Sequence, residues 1–125
     1  MTENDLSYAI RGAAFKVHTE LGPGLLESCY EAALAHELTK EGFKVEKQLG
    51  LPMKYDTITM DVGYRIDIMV NNLVIIEIKS VESLTDVHHK QLLTYLKLSG
   101  KKLGLLMNFN VSSMKDGIIR IVNNL

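Results

Sequence analysis

Arg65-Ile-Asp67-Ile-Met-Val-Asn-Asn-Leu-Val-Ile-Ile-Glu77-Ile-Lys79-Ser80 spells two strands joined near Asn71-Asn72. Val70, Leu73, Val74, Ile75, Ile76 and Ile78 are the β-branched and apolar residues of a strand buried on both faces, so Asp67, Glu77 and Lys79 are charges set into core sequence. A buried charge without a partner is costly. Two arrangements relieve the cost. One is an ion pair between a carboxylate and Lys79. The other is a metal site, in which the two carboxylates hold a divalent cation through oxygen while Lys79 orients water or stabilises charge on a phosphate.

The turn decides whether the three charges meet. A two-residue loop at Asn71-Asn72 sets Asp67 opposite Ile76, on the sheet face away from Glu77 and Lys79. A three-residue loop, Val70-Asn71-Asn72, sets Asp67 opposite Ile75 and diagonal to Glu77. It needs a positive φ at its third residue, which asparagine tolerates. The expectation is a three-residue loop or a nearby bulge, with Asn72 left-handed.

Outward from this stretch, 125 residues suit one domain, residues 1–125, with a core that needs no staples. Lys and Arg number 14 against 15 Asp and Glu, so no global positive field favours nucleic acid, and any such binding must rest on a local patch or on metal. The best local patch is Lys97, Lys101 and Lys102. The single Cys29 excludes an internal disulfide and is expected as a small buried thiol. Met-Thr-Glu-Asn-Asp lacks the features of a signal peptide and no apolar run approaches the ~20 residues of a membrane helix, so the cytoplasm, without membrane attachment, is the expected address.

Leu6, Ile10, Ala13, Ala14, Val17 and Leu21 recur at helical spacing after the caps Asn4 or Asp5, and Gly22-Pro23-Gly24 ends that helix. His18 near its end is expected to be exposed or to face the helix dipole. A second helix begins around Leu25, with Leu26, Tyr30, Ala33, Leu34 and Leu38 as its stripe, Glu27 in its first turn and Gly42 as its stop. Phe43, Val45, Lys47 and Leu49 alternate with polar residues as a half-exposed strand, which Gly50 and Pro52 break before Met53 and Tyr55. After the turn at Asp56-Thr57, Ile58, Met60, Val62, Tyr64, Ile66 and Ile68 alternate into the Asp67 strand, and the sheet to this point reads as antiparallel.

Ser83 or Thr85 caps a third helix that Gly100 closes, with Leu92, Leu93, Leu96 and Leu98 on its buried side. Gln91 and Tyr95, four apart, project from one face, either as its polar side or toward the sheet and its charges. Adjacent His88 and His89 point apart, so at most one can join a metal site. Residues 103–109 form a last buried strand, free to run parallel to an earlier one after the helical crossover. A short element over 117–122 closes the chain.

The ordered set of Glu27 at a helix start, Asp67 on one strand, Glu77-Ile-Lys79 on the next and Gln91-x-x-x-Tyr95 on the following helix resembles the PD-(D/E)xK nuclease superfamily. Gly24-Leu-Leu-Glu27-Ser-Cys-Tyr30 is similar to the signature for which the GxxExxY family is named. The resemblance runs over residues 6–122 and takes in Asn108-Phe109 and Asp116-Gly117. It departs from the superfamily motif at Ile66, where proline is usual; that position contributes backbone shape and no ligand.

The resemblance implies a restriction-endonuclease-like α/β fold, a mixed sheet flanked by helices in the order ααββββαβ plus a short C-terminal element. It implies Mg²⁺ or Mn²⁺ held by Asp67, Glu77 and the Ile78 carbonyl with help from Glu27. Lys79 would polarise the attacking water, and Gln91 and Tyr95 would contact metal-bound water or phosphate. The implied function is metal-dependent hydrolysis of phosphodiester bonds in DNA. A catalytically silent module binding nucleic acid or protein is the alternative. Small resolvases of the superfamily act as dimers, so a homodimer is expected.

Overall fold

The computed structural model describes residues 1–125 apart from the side chain of Val62, whose place in the alternating stripe lies outside the described residues. Two helices come first, α1 (Glu3–Leu21) and α2 (Glu27–Lys40), then three strands, β1 (Val45–Tyr55), β2 (Ile58–Val70) and β3 (Val74–Lys79). Helix α3 (Asp86–Ser99) leads to β4 (Leu103–Asn108), a 3-10 turn (Met114–Gly117) and β5 (Ile118–Val122). The strands make one five-stranded sheet in the order β1-β2-β3-β4-β5. All neighbours are antiparallel except β3 and β4, which the α3 crossover makes parallel. The sheet is therefore mixed.

Helices cover both faces. Leu6, Ile10, Ala14 and Val17 of α1 and Tyr30, Leu34 and Leu38 of α2 pack on Ile68, Val70, Ile76, Ile78, Leu105 and Met107. On the other face Leu92, Tyr95 and Leu96 of α3 cover Ile66, Met69, Ile75 and Leu106. Strands β3 and β4 are thus sandwiched, which is why their sequences are continuously apolar and why any charge in them is conspicuous.

Several expectations change here. The chain has three strands before α3 and not four, because β1 runs unbroken through Gly50 and Pro52. Proline survives there because β1 is an edge strand and Pro52 sits at a register shift between Leu51 and Met53, where no ladder bond is lost. Gly63 lies in that irregularity, and a Cβ on it would collide with the Leu51 carbonyl. Thr2 caps α1 in a reciprocal box with Asp5, two residues before the expected start. Thr85 caps α3, with the His88 imidazole accepting from the Thr85 N–H, and Gly100 closes that helix at φ 71°. Leu26 precedes the first turn of α2 and is 74% exposed, not part of its apolar stripe, and Leu98 is likewise exposed. Cys29 falls off the face that buries Tyr30 and Leu34 and is exposed. His18 is buried, its Nε2 lying 2.7 Å from the Val111 carbonyl, and it ties the end of α1 to the loop after β4.

The turn between β2 and β3 has three residues, as expected, but they are Asn71, Asn72 and Leu73. Both asparagines are left-handed, at φ 51° and 56°, and the Leu73 N–H closes the turn on the Val70 carbonyl at 3.0 Å. The pairs Ile68–Ile76, Met69–Ile75 and Val70–Val74 extend to place Asp67 level with Glu77 itself, not with Ile75. The one-residue displacement of the loop moves the register by two, which brings Asp67 level with Glu77 where the ladder ends.

Candidate metal centre at the opening of two strands

The β2–β3 ladder stops at Ile68–Ile76. Beyond it the carboxylates replace backbone pairing: the Ile78 N–H donates to Asp67 Oδ2 at 2.8 Å, and the Asp67 N–H donates to Glu77 Oε1 at 3.1 Å. Each carboxylate is thereby locked to the strand carrying the other. On the opposite side the β1–β2 register skips from Lys47–Ile68 to Leu49–Ile66, leaving Gln48 and Asp67 outside the ladder, and Gln48 is left-handed at φ 52°. Non-glycine residues in this region mark local strain. The Gln48 amide donates to Glu31 Oε1 at 2.6 Å and reaches Asp67 Oδ1 at 3.4 Å.

A cleft of about 220 Å³ opens at this point, lined by Glu27, Ser28, Glu31, Gln48, Asp67 and Ile78. Glu27, the first residue of α2, accepts the Ser80 N–H on Oε2 at 3.0 Å, while the Ser80 hydroxyl donates to the Leu25 carbonyl at 2.7 Å. Tyr30 holds the preceding turn: its hydroxyl donates to the Gly22 carbonyl at 2.6 Å and accepts the Leu25 N–H at 3.0 Å, and its ring stacks on Phe109. Gly24, Glu27 and Tyr30 are therefore one device, a turn, a carboxylate and the clamp that aims it.

Electrostatically the pair is only partly compensated. Burial first, and then the Asp67 charge, push the Glu77 carboxyl up to about 8. Burial also raises Asp67, against the opposing pull of the Ile78 N–H, the Lys79 ammonium and the Gln48 amide. Among the described residues the ion pairs are Lys16–Glu37, Lys40–Glu37 and Lys44–Glu46, so Lys79 acts on both carboxylates without closing a salt bridge to either. The ion-pair arrangement is not formed. Tyr95 is buried against the same pair, and its hydroxyl is raised by burial and by the charges of Glu77 and Asp67.

Other expected site residues stand further off. Among the described residues no three His, Cys, Asp or Glu side chains close into one metal-holding group, so Glu27 shares the cleft with Asp67 without completing a three-carboxylate cluster. Gln91 lies in a neighbouring cleft with Tyr64, Val87, Lys90 and Thr94. Lys101 and Lys102 precede the start of β4 and Lys97 lies in the last turn of α3. Leu103 pairs with Val74 and Asn108 with Lys79, so this basic patch is at the other end of the sheet, roughly 17 Å from Lys79 at the usual strand rise. His88 is committed to its cap.

Sequence reading also missed residues. Gln48 and Glu31 were legible only as polar positions on a strand and a helix, and nothing local marks the left-handed backbone that turns Gln48 into the cleft. Asn108, 3% exposed, accepts the Val81 and Asn110 N–H groups and donates to the Val81 carbonyl, fixing the loop that follows Lys79. The sequence marks Asn108 through the family resemblance and as the polar residue ending the apolar run 103–107, but not through this role.

The donors at the strand opening are all oxygen, in carboxylates and backbone, and the buried Glu77 and half-buried Asp67 form no salt bridge, which suits a hard divalent ion. The residues present fit such an ion. No helix among the described residues is long and apolar enough to cross a membrane. No curated protein and no solved structure matches the chain. The family model of the PD-(D/E)XK nuclease superfamily, whose members use divalent metals, matches residues 4–121. With the strand order, the crossover and the carboxylates at the strand opening in agreement with that match, the chain belongs to the PD-(D/E)XK nuclease superfamily.

Proposed function

We propose that residues 1–125 act as a single nuclease domain that hydrolyses phosphodiester bonds in DNA with Mg²⁺ or Mn²⁺ as cofactor. The observation that carries this reading is the pairing of buried Glu77 with half-buried Asp67, locked strand to strand and left without a salt bridge. Asp67, Glu77 and the Ile78 carbonyl would hold the cation, and Glu27, which lines the same cleft as Asp67 and Ile78, would assist. When bound, the ion neutralises charge on the phosphate oxygens and lowers the pKa of water. Lys79 orients that water and offsets charge as it develops. Tyr95 closes the carboxylate pair from the α3 side and keeps bulk water from it. Gln91 contacts substrate beyond the carboxylates, and Lys97, Lys101 and Lys102 hold a distant part of the strand. The Gly24–Tyr30 signature supports assignment to the GxxExxY family within this superfamily, and on this reading the active form is a cytoplasmic homodimer.

Lys79→Ala with a labelled DNA panel tests the reading. Metal affinity, read by calorimetry, should persist while cleavage falls by about 10²-fold, the usual loss for one electrostatic contact at the reacting centre. Wild-type protein that binds metal yet cleaves no member of the panel would instead favour a silent binding module.

A further inference from the structure

We propose that the cleft beside the carboxylate pair, lined by Tyr64, Val87, Lys90, Gln91 and Thr94, is a subsite for one unpaired nucleobase, so that the substrate is a strand with a single-stranded nucleotide next to the cut. The inference rests on the nuclease reading for its substrate and on separate geometry for its site. The cleft is open and measures about 300 Å³. Its aromatic wall is Tyr64, 39% exposed, whose ring stands 5.1 Å from that of Tyr95 at 53°. Tyr95 in turn packs with Ile66 and Ile75, the neighbours in sequence of Asp67 and of Ile76-Glu77, so the cleft stands on the α3 side of the strands that carry the carboxylates.

The lining has the chemistry that single-stranded nucleic acid requires. A base has an apolar face, polar edges and a phosphate attached at one end. Tyr64 offers an exposed ring supported from behind by Tyr95, and Val87, 71% exposed, offers an apolar flank. Gln91 supplies an amide that both donates and accepts, which suits a base edge. Lys90 is exposed and, among the described residues, in no ion pair, which suits a phosphate. An aromatic platform with a cation at its rim is how proteins hold bases that are out of the duplex. A paired base has both faces stacked on its neighbours and cannot occupy such a cleft without leaving the helix.

The test uses the full chain and short DNA strands carrying 2-aminopurine at successive positions, with Ca²⁺ in place of Mg²⁺ so that the strand stays intact. Stacking on Tyr64 should quench the probe at one position of the single strand and not in the matching duplex, and single strand should bind about tenfold or more tightly than duplex. Tyr64→Phe should keep the quenching, Tyr64→Leu should lose it with an unchanged circular dichroism spectrum, and Lys90→Ala should weaken binding severalfold. Equal binding of duplex and single strand, or full quenching in Tyr64→Leu, overturns the proposal. Position-specific quenching without cleavage in Mg²⁺ or Mn²⁺ would keep the base subsite and overturn the nuclease reading instead.

Discussion

Glu77 shows most directly what the core charges are for. Its carboxyl stands at about 8 in the folded chain against an ordinary 4.5, because burial and the neighbouring Asp67 both disfavour the anion. A carboxyl raised on folding stabilises the fold fully below its unfolded pKa and ceases to do so as pH climbs through its folded one. In the absence of divalent metal, urea-unfolding free energy should therefore decline from about pH 4.5 to about pH 8. Glu77→Gln keeps the size and supplies a neutral group, so it should flatten that decline and leave the metal-free protein more stable at pH 8. If Glu77 is a ligand, as proposed, the same substitution removes its anionic donor and should abolish metal-dependent cleavage. A structural salt bridge would give the opposite result, since deleting one partner of a buried pair costs roughly 3–5 kcal/mol.

Elements are joined in this protein by a few polar clamps set among apolar faces. The turn between α1 and α2 is held by the Tyr30 hydroxyl on Gly22 and Leu25, and this turn starts α2 at Glu27, facing Ser80. Tyr30→Phe leaves the ring on Phe109 but removes both bonds, and should cost about 1–2 kcal/mol in chemical denaturation. Because the turn aims Glu27, metal affinity should fall as well; a stability loss with unchanged affinity would make Tyr30 purely structural. Similar logic applies at residues 71–73, where two left-handed asparagines close a loop whose length brings Asp67 level with Glu77.

At the scale of the whole molecule, the sheet carries its helices on both faces and sets the Asp67–Glu77 pair where β2 and β3 part. Metal bound there joins α2, β2 and β3, and a ligand that binds only the folded state stabilises it by mass action, about 2.7 kcal/mol at a hundred times its Kd. Melting temperature should rise on addition of Mg²⁺ or Mn²⁺ and return on chelation. A flat melting curve across millimolar metal would count against the centre. The increment should grow with pH, because protons compete with metal for Glu77 up to about pH 8.

Periodicity, glycines and capping residues by themselves determined the two opening helices, the antiparallel β2–β3 pair, the third helix and the apolar last strand. They did so because each is specified by contacts within a few residues. Three charges in apolar sequence likewise marked Asp67, Glu77 and Lys79, since burial makes an unneeded charge too costly to leave there. What the tertiary structure decided was everything that depends on strands meeting. The run through Pro52 is one strand because its free edge and a register shift spare the missing N–H. Gln48 enters the cleft because the β1–β2 ladder skips at Asp67, and Lys97, Lys101 and Lys102 fall away from it because β3 and β4 run parallel. The absence of a salt bridge at Lys79 is likewise a matter of a few ångströms between strands, a distance that pairing and packing set and that residue order does not contain.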